Sequence, residues 1–308
     1  MSLTALGEIS SDNSVLSKTE RLTAVKVGTP IKVMSYNIFY DKYWGVSSAN
    51  DSNAWNYTSG KSRKDRVINM IMSETKAFGK SGPDILGVQE TIQNQADDLQ
   101  KAMVVYGLSG VCGKTGCEAC RIFYRLSRFA KLNSGTFWLS ETPDVPGSVY
   151  SGAAHPRIAS WVILKDLENQ KSIFVLSTHW DNASKEANYF FAQLIRNKIK
   201  ELAGSLPVIM MGDLNTREFE KPYLRLIGNE DASGMRLMDT YRSVYEKVSN
   251  DEATFHGMKG ETSGNRIDFI FSNDELFVDK ATIERGKVLD KYPSDHYPIT
   301  ATIYFRQS

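Results

Sequence analysis

At 308 residues, with 41% hydrophobic and 24% charged side chains, the chain has the composition of a soluble protein with room for a large core. Thirty-seven basic residues against 36 acidic ones leave a net charge of +1, so no overall field selects nucleic acid or an anionic membrane, although a local basic patch is compatible with it. No apolar run approaches the roughly 20 residues that span a bilayer, and the first thirty residues, which include Glu8 and Asp12, lack the charged head and apolar centre of a signal peptide. The expectation is a soluble protein whose compartment stays open.

In chain order, residues 1–29 read as a loosely attached Ser/Thr-rich tail and 30–308 as one domain. Residues 31–38 alternate as a strand with Asn37 near its end, and 41–62 form a polar loop holding Trp44 and Trp55. Arg66 to Ala77 has helical spacing, Pro83 to Glu90 is a buried strand ending in a carboxylate, and a helix covers 93–105. Cys112, Cys117 and Cys120 share one segment. Their spacing lacks a fourth zinc ligand nearby, and a Cys117–Cys120 disulfide or free thiols are the other readings. Residues 121–125 and 129–139 are expected to pair as successive strands, ahead of a Pro/Gly/Ser loop at 141–152. Residues 158–164 and 173–178 are apolar strands, the second running into His179-Trp180-Asp181-Asn182, and 187–202 is an amphipathic helix. The apolar run 207–211 leads into Gly212-Asp213-Leu214-Asn215. Residues 224–227 and 241–248 read as short helices, 266–271 as a strand with an acid inside it, and 299–305 as a last strand behind Ser294-Asp295-His296. Strands alternate with helices and no linker divides them, which predicts one α/β domain with mixed sheets.

Asp213 and Asn215, two apart at a strand end, project together. An acidic oxygen beside a neutral carbonyl oxygen suits a hard divalent cation and its bound water. The plain alternative is a strand followed by an Asx-type turn. Asn37, Glu90, His179 and Asp268 likewise end or lie within apolar strands, and Asp295-His296 precedes another. Singly each has a dull explanation: Glu90 caps a helix near Ile92, Asp268 is a paired buried acid, His179 is a satisfied core histidine. Together they mark a place where strand ends converge. Trp44, Trp55 and Trp180 either stack on bases or pack in the core.

The ordered run Ser35-Tyr36-Asn37, Val88-Gln89-Glu90, Ser177-Thr178-His179, Gly212-Asp213-Leu214-Asn215, Arg266-Ile267-Asp268-Phe269-Ile270 and Ser294-Asp295-His296 resembles the endonuclease/exonuclease/phosphatase superfamily. The resemblance implies a four-layer α/β sandwich, two mixed β-sheets face to face and flanked by helices, with the site at one rim. It implies Mg2+, or Mn2+ in its place, on Glu90 with Asn37 and Asp295 nearby. Asp213 and Asn215 would orient the attacking water and, in two-metal members, hold a second ion. Asp268 and His296 would form the family's acid–imidazole pair, with His179 at the scissile phosphate. Glu118, seven residues before Arg125, stands where deoxyribonuclease-like members have the glutamate that partners this histidine; a surface acid is the alternative. Arg157 stands where the nucleases have an arginine on the phosphate, or is an edge-strand arginine. His256 lines the pocket, as Asn37 would, or is a turn histidine.

The resulting expectation is a monomeric Mg2+-dependent phosphoester hydrolase without a membrane anchor. A diesterase on nucleic acid or a small phosphodiester stands ahead of a monoesterase on an inositol phosphate or similar ligand. Near-neutral charge argues mildly against a nuclease that grips long duplexes. A catalytically inactive binding module on the same fold would be marked by loss of Glu90, Asp213 or His296, and all three are present.

Overall fold

The computed structural model describes residues 26–41, 51, 53–56, 62–110, 119–228 and 235–306. Strands β1 (Lys26–Asn37) and β2 (Ile85–Thr91) are parallel neighbours, an arrangement that needs a crossover rather than a hairpin. Helix α1 (Arg63–Asn69) supplies it. Its start is fixed by a reciprocal Ser62–Asp65 capping box, and a π-helical turn over Met70–Glu74 continues it. Helix α2 (Gln93–Ala102) follows β2. Strands β3 (Tyr106–Ser109) and β4 (Ala119–Arg125) extend this first sheet beyond β2.

The second sheet repeats the plan. Strands β5 (Phe129–Trp138), β6 (Ile158–Asp166) and β7 (Lys171–His179) run antiparallel, and β7 is parallel to β8 (Val208–Asp213) across helix α3 (Lys185–Ala203). After α4 (Lys221–Ile227) come the short β9 (Met238–Asp239) and α5 (Thr240–Val244). Strand β10 (Asp268–Ser272) then inserts between β8 and β9. Finally β11 (Leu276–Ile283) and β12 (Ile299–Arg306) return to the first sheet, with β12 between β11 and β1. Among the described residues this makes two mixed six-stranded sheets. No described helix is long and apolar enough to cross a membrane.

Three apolar layers hold the sandwich together. Val33, Ile85, Ile122, Val175, Ile209, Met211 and Ile303 meet between the sheets. Phe174, Leu176 and Met210 turn outward to α3 through Phe191 and Ile195, while Met34, Tyr36, Leu86 and Val88 face Val67, Ile71 and Leu99. Each central strand therefore divides its residues by parity, odd numbers inward in β1, β7 and β8. The sheets approach closely at Gly87, where a Cβ would sit 2.6 Å from the Met211 sulfur.

Several elements depart from the sequence reading. Residues 121–125 and 129–139 do not pair: β4 lies between β2 and β3, whereas β5 pairs with β6 in the other sheet. The Leu126-Ser127-Arg128 link lacks the Asn-Gly or Asp-Gly chemistry of a tight hairpin. It instead carries the chain across the sandwich. Strand β1 takes in residues 26–29, assigned to the tail, and strands β3, β9 and β11 were not anticipated. The helix expected at 241–248 is the shorter α5. Cys120 is buried; Cys112 and Cys117 lie outside the described residues.

Candidate active site

The two parallel pairs end at one rim, and parity decides what they present there. In β1 the inward series is Val33, Ser35, Asn37; in β7 it is Val175, Ser177, His179; in β8 it is Ile209, Met211, Asp213. Each runs from apolar core to functional end. Asp268 opens β10 directly across from Asp213, which in turn is level with His179. Just beneath, Gln89 Nε2 donates to Ser177 Oγ at 3.1 Å and to Ser35 Oγ at 3.3 Å, tying the sheets together.

Glu90 breaks the pattern. By parity it would point outward with Leu86 and Val88, but the pairing of β2 with β4 slips between Val88 and Thr91, and Glu90 has a φ of 57°. This bulge turns the carboxylate into the cleft. There Glu90 Oε1 accepts from Asn37 Nδ2 at 3.0 Å and Oε2 from the Tyr40 amide at 3.1 Å, so it is not the cap of α2.

Asp213 is the hub. Its Oδ2 accepts from Asn37 Nδ2 at 3.0 Å and lies 3.6 Å from Nε2 of both His179 and His296. His296 Nδ1 meets Asp268 Oδ2 at 2.9 Å. Burial works against a charged imidazole here, but the Asp268 and Asp213 carboxylates outweigh it and push His296 up to about 10, so the ring is an imidazolium at neutral pH. Arg157 Nη1 lies 2.9 Å from His179 Nδ1. The Asn215 amide group lies 3.0 Å from Nε2 of the same ring. Asn215 has a φ of 43°, and its N–H returns to Asp213 Oδ1 at 2.9 Å. The motif is thus an Asx turn and a site element at once.

Burial and the neighbouring Glu90 charge hold the Asp295 carboxyl above its usual range, against the pull of His296. Two crowded carboxylates facing one cleft are the donor set a divalent cation relieves, so Glu90 and Asp295 fit such an ion. Asp213, Asp268 and His296 also offer atoms within 4.8 Å of one another, but there the imidazolium already supplies a positive charge.

Around these groups lies a cleft of about 590 Å3. His155, Arg157 and Asn182 form a polar wall; Phe39, Tyr40 and Ile92 stand on one flank, Phe255 and Ile267 on another. The flanking residues were not found from sequence, since nothing in hydropathy separates Phe39 or Phe255 from core aromatics.

Asn37 turns its Nδ2 to the Glu90 and Asp213 carboxylates, and its Oδ1 accepts the Phe39 N–H at 3.0 Å. The expectation for His256 is corrected. His256 does not line the cleft. It is buried against Tyr297 and Tyr292, accepts the Gly260 N–H, and is pushed down to about 4 by burial and the His296 charge. Trp55 and Trp180 are fully buried and present no face to a base. Trp44 and Glu118 lie outside the described residues.

The profile of the Endonuclease/Exonuclease/phosphatase family matches residues 34–296. An endonuclease/exonuclease/phosphatase from Bacteroides vulgatus superposes with a TM-score of 0.74 at 31% identity, covering 90% of this chain and 99% of that one. A mannosyl-6-phosphatase of Bacteroides thetaiotaomicron gives 0.72 at 28% identity over 89% of this chain and all of that one. An uncharacterized protein of Acanthamoeba polyphaga mimivirus is 23% identical over 78% of this chain and 90% of its own length.

Proposed function

The chain belongs to the endonuclease/exonuclease/phosphatase family, whose members are phosphoester hydrolases, and from that premise we propose that it is a divalent-metal-dependent hydrolase of a small phosphorylated molecule. The observation that carries this is Asp213 Oδ2 held 3.6 Å from Nε2 of both His179 and His296, at the floor of a cleft. A metal bound by Glu90 and Asp295 would supply charge neutralisation on the phosphoryl oxygens. Asp213 Oδ2 accepts the proton of the attacking water, and Asn37 holds that carboxylate in place. His296 Nε2–H, kept charged by Asp268, neutralises charge growing on oxygen in the transition state. Arg157 orients His179 and faces the phosphate from the cleft wall.

A cleft of about 590 Å3 falls within the range of roughly 300–1,000 Å3 typical of small-molecule sites. With Trp55 and Trp180 buried, the aromatic support for a single-stranded nucleic acid is reduced. The likeness to a mannosyl-6-phosphatase favours a sugar phosphomonoester. A second reading, a phosphodiester, is favoured by apolar flanks on two sides of the site, one for each ester arm. Hydrolysis of mannose 6-phosphate, p-nitrophenyl phosphate, bis-p-nitrophenyl phosphate, single-stranded RNA and DNA, and an inositol polyphosphate, with and without Mg2+, decides between them. Asp213→Asn and His296→Ala run beside the parent. No EDTA-sensitive turnover on any member and no Mg2+ effect on melting would refute the proposal.

A further inference from the structure

Arg63 sits in the first turn of α1, away from the cleft and only 1% exposed, yet its guanidinium is spent on the segment that borders it. Nη1 donates to the Ile38 carbonyl at 2.5 Å and to the Phe39 carbonyl at 2.8 Å, Nη2 to the Tyr40 carbonyl at 3.1 Å, and Nε to the Asn53 carbonyl at 2.9 Å. Its cationic carbon lies 5.1 Å from the Phe39 ring and 5.2 Å from that of Trp55. Three consecutive carbonyls drawn to one cation curl the backbone, and Phe39 takes a φ of 58°. With the carbonyls gathered inward, the amide hydrogens are turned toward the cleft. The Phe39 N–H orients Asn37 and the Tyr40 N–H holds Glu90 Oε2. From the other side Gln95 donates to the Phe39 carbonyl at 3.0 Å and accepts the Asp41 N–H at 3.1 Å.

We propose that Arg63 is a positioning residue that presets Glu90 for a divalent cation, acting through the Phe39–Tyr40 segment; this rests on the hydrolase reading above. Glu90 stands on a bulge, so its strand alone does not aim it. Two donors complete the aim, the Asn37 amide and the Tyr40 N–H, and Arg63 governs both. Lysine cannot replace it: a single ammonium lacks the planar fork that reaches three carbonyls on one edge and a fourth beside them.

The test is a Mg2+ titration of the thermal midpoint, with parent, Arg63→Lys and Gln95→Met, joined to amide exchange at Tyr40 relative to Val33 in β1. Loss of an outer partner of a metal ligand weakens binding by about 10–100-fold. The Mg2+ concentration giving half of the stabilisation should therefore rise roughly tenfold or more in Arg63→Lys, and by less in Gln95→Met. Tyr40 exchange should accelerate selectively, and turnover should return toward the parent value at saturating Mg2+. Equal Mg2+ midpoints and unchanged Tyr40 exchange would overturn the inference. If Arg63→Lys does not fold, Gln95→Met decides in its place. A parent that ignores Mg2+ refutes the hydrolase reading instead, and Tyr40 exchange then still decides whether Arg63 holds the segment.

Discussion

The two sheets are joined by charged groups at both rims, and the two joints are built on opposite terms. Away from the cleft, Arg128 donates to Asp84 at 2.9 Å and Asp166 at 3.0 Å, one acid from each sheet, and to the carbonyls of Pro30 and Thr29. Arg125 adds a second cation on Asp84 at 3.4 Å, and the Arg128 guanidinium also lies against the Phe129 ring. At the cleft, Glu90, Asp213, Asp268 and Asp295 gather around the His296 imidazolium, and burial with the Glu90 charge keeps Asp295 protonation-prone. Phe39, Glu90 and Asn215 also take positive φ there. A paired cluster stabilises a fold, whereas a crowded one is tolerated where a ligand or a reaction completes it.

The largest effect that could break this comparison is on turnover. Asp213→Asn and His296→Ala should each lower kcat by about 10²–10⁴-fold, the usual span for a positioned acid or base. The unfolding midpoint of Asp213→Asn should move little beside that loss, whereas His296→Ala also leaves the buried Asp268 without its cation and should melt earlier. Next, Arg128→Met leaves the buried Asp166 without its cation and Asp84 with Arg125 alone, and should cost about 3–5 kcal/mol in urea unfolding, while the folded fraction keeps its specific activity.

A smaller effect sharpens the point through pH. Glu218 is half-buried, which alone would raise its pKa, but Arg242 and Arg266 outweigh that and hold it below the usual range. A carboxylate depressed in the folded state stabilises above its unfolded pKa and loses that contribution as pH falls through the folded one. Parent and Glu218→Gln should therefore differ most near neutral pH and converge in urea unfolding as pH drops below about 4.3. The smallest effect has the opposite sign. Asp295→Asn relieves like-charge crowding and should raise stability in EDTA by about 0.5–2 kcal/mol while diminishing the stabilisation by Mg2+. A destabilised Asp295→Asn would show that the cleft acids are ordinary paired groups.

Much of the site was legible because period-2 strands carry their chemistry at their ends: Asn37, His179, Asp213 and Asp268 all follow from alternation and a polar stop. Glu90 was read as the carboxylate ending an apolar strand, but parity points it outward, and the bulge that aims it into the cleft leaves no hydropathic mark. The same holds for β11, whose pairing slips between Val278 and Lys280 and so scrambles the alternation that would have announced it. The crossing at 126–128 was missed because adjacency in sequence favours pairing, and Arg128 overrides that through partners drawn from both sheets. His256 sits beside a motif-bearing strand yet packs behind it, and only the stacked Tyr292 and Tyr297 rings decide this.

The place of β12 has a consequence for how the protein comes into being. Strands β1 and β2 are made early, but β12 separates β1 from β11, so the first sheet has a missing middle until residues 299–306 are available. Asp295 and His296 lie just ahead of that strand, and Ser294 Oγ reaches back to the Asn37 carbonyl at 2.6 Å. During synthesis a nascent chain thus holds Glu90 and Asp213 long before it holds the imidazolium. Closure depends on contacts between residues more than 250 positions apart in sequence, which slows folding and leaves the edge of β1 open meanwhile. The His296 imidazolium joins Glu90 and Asp213 in one late step, when β12 seats against β1.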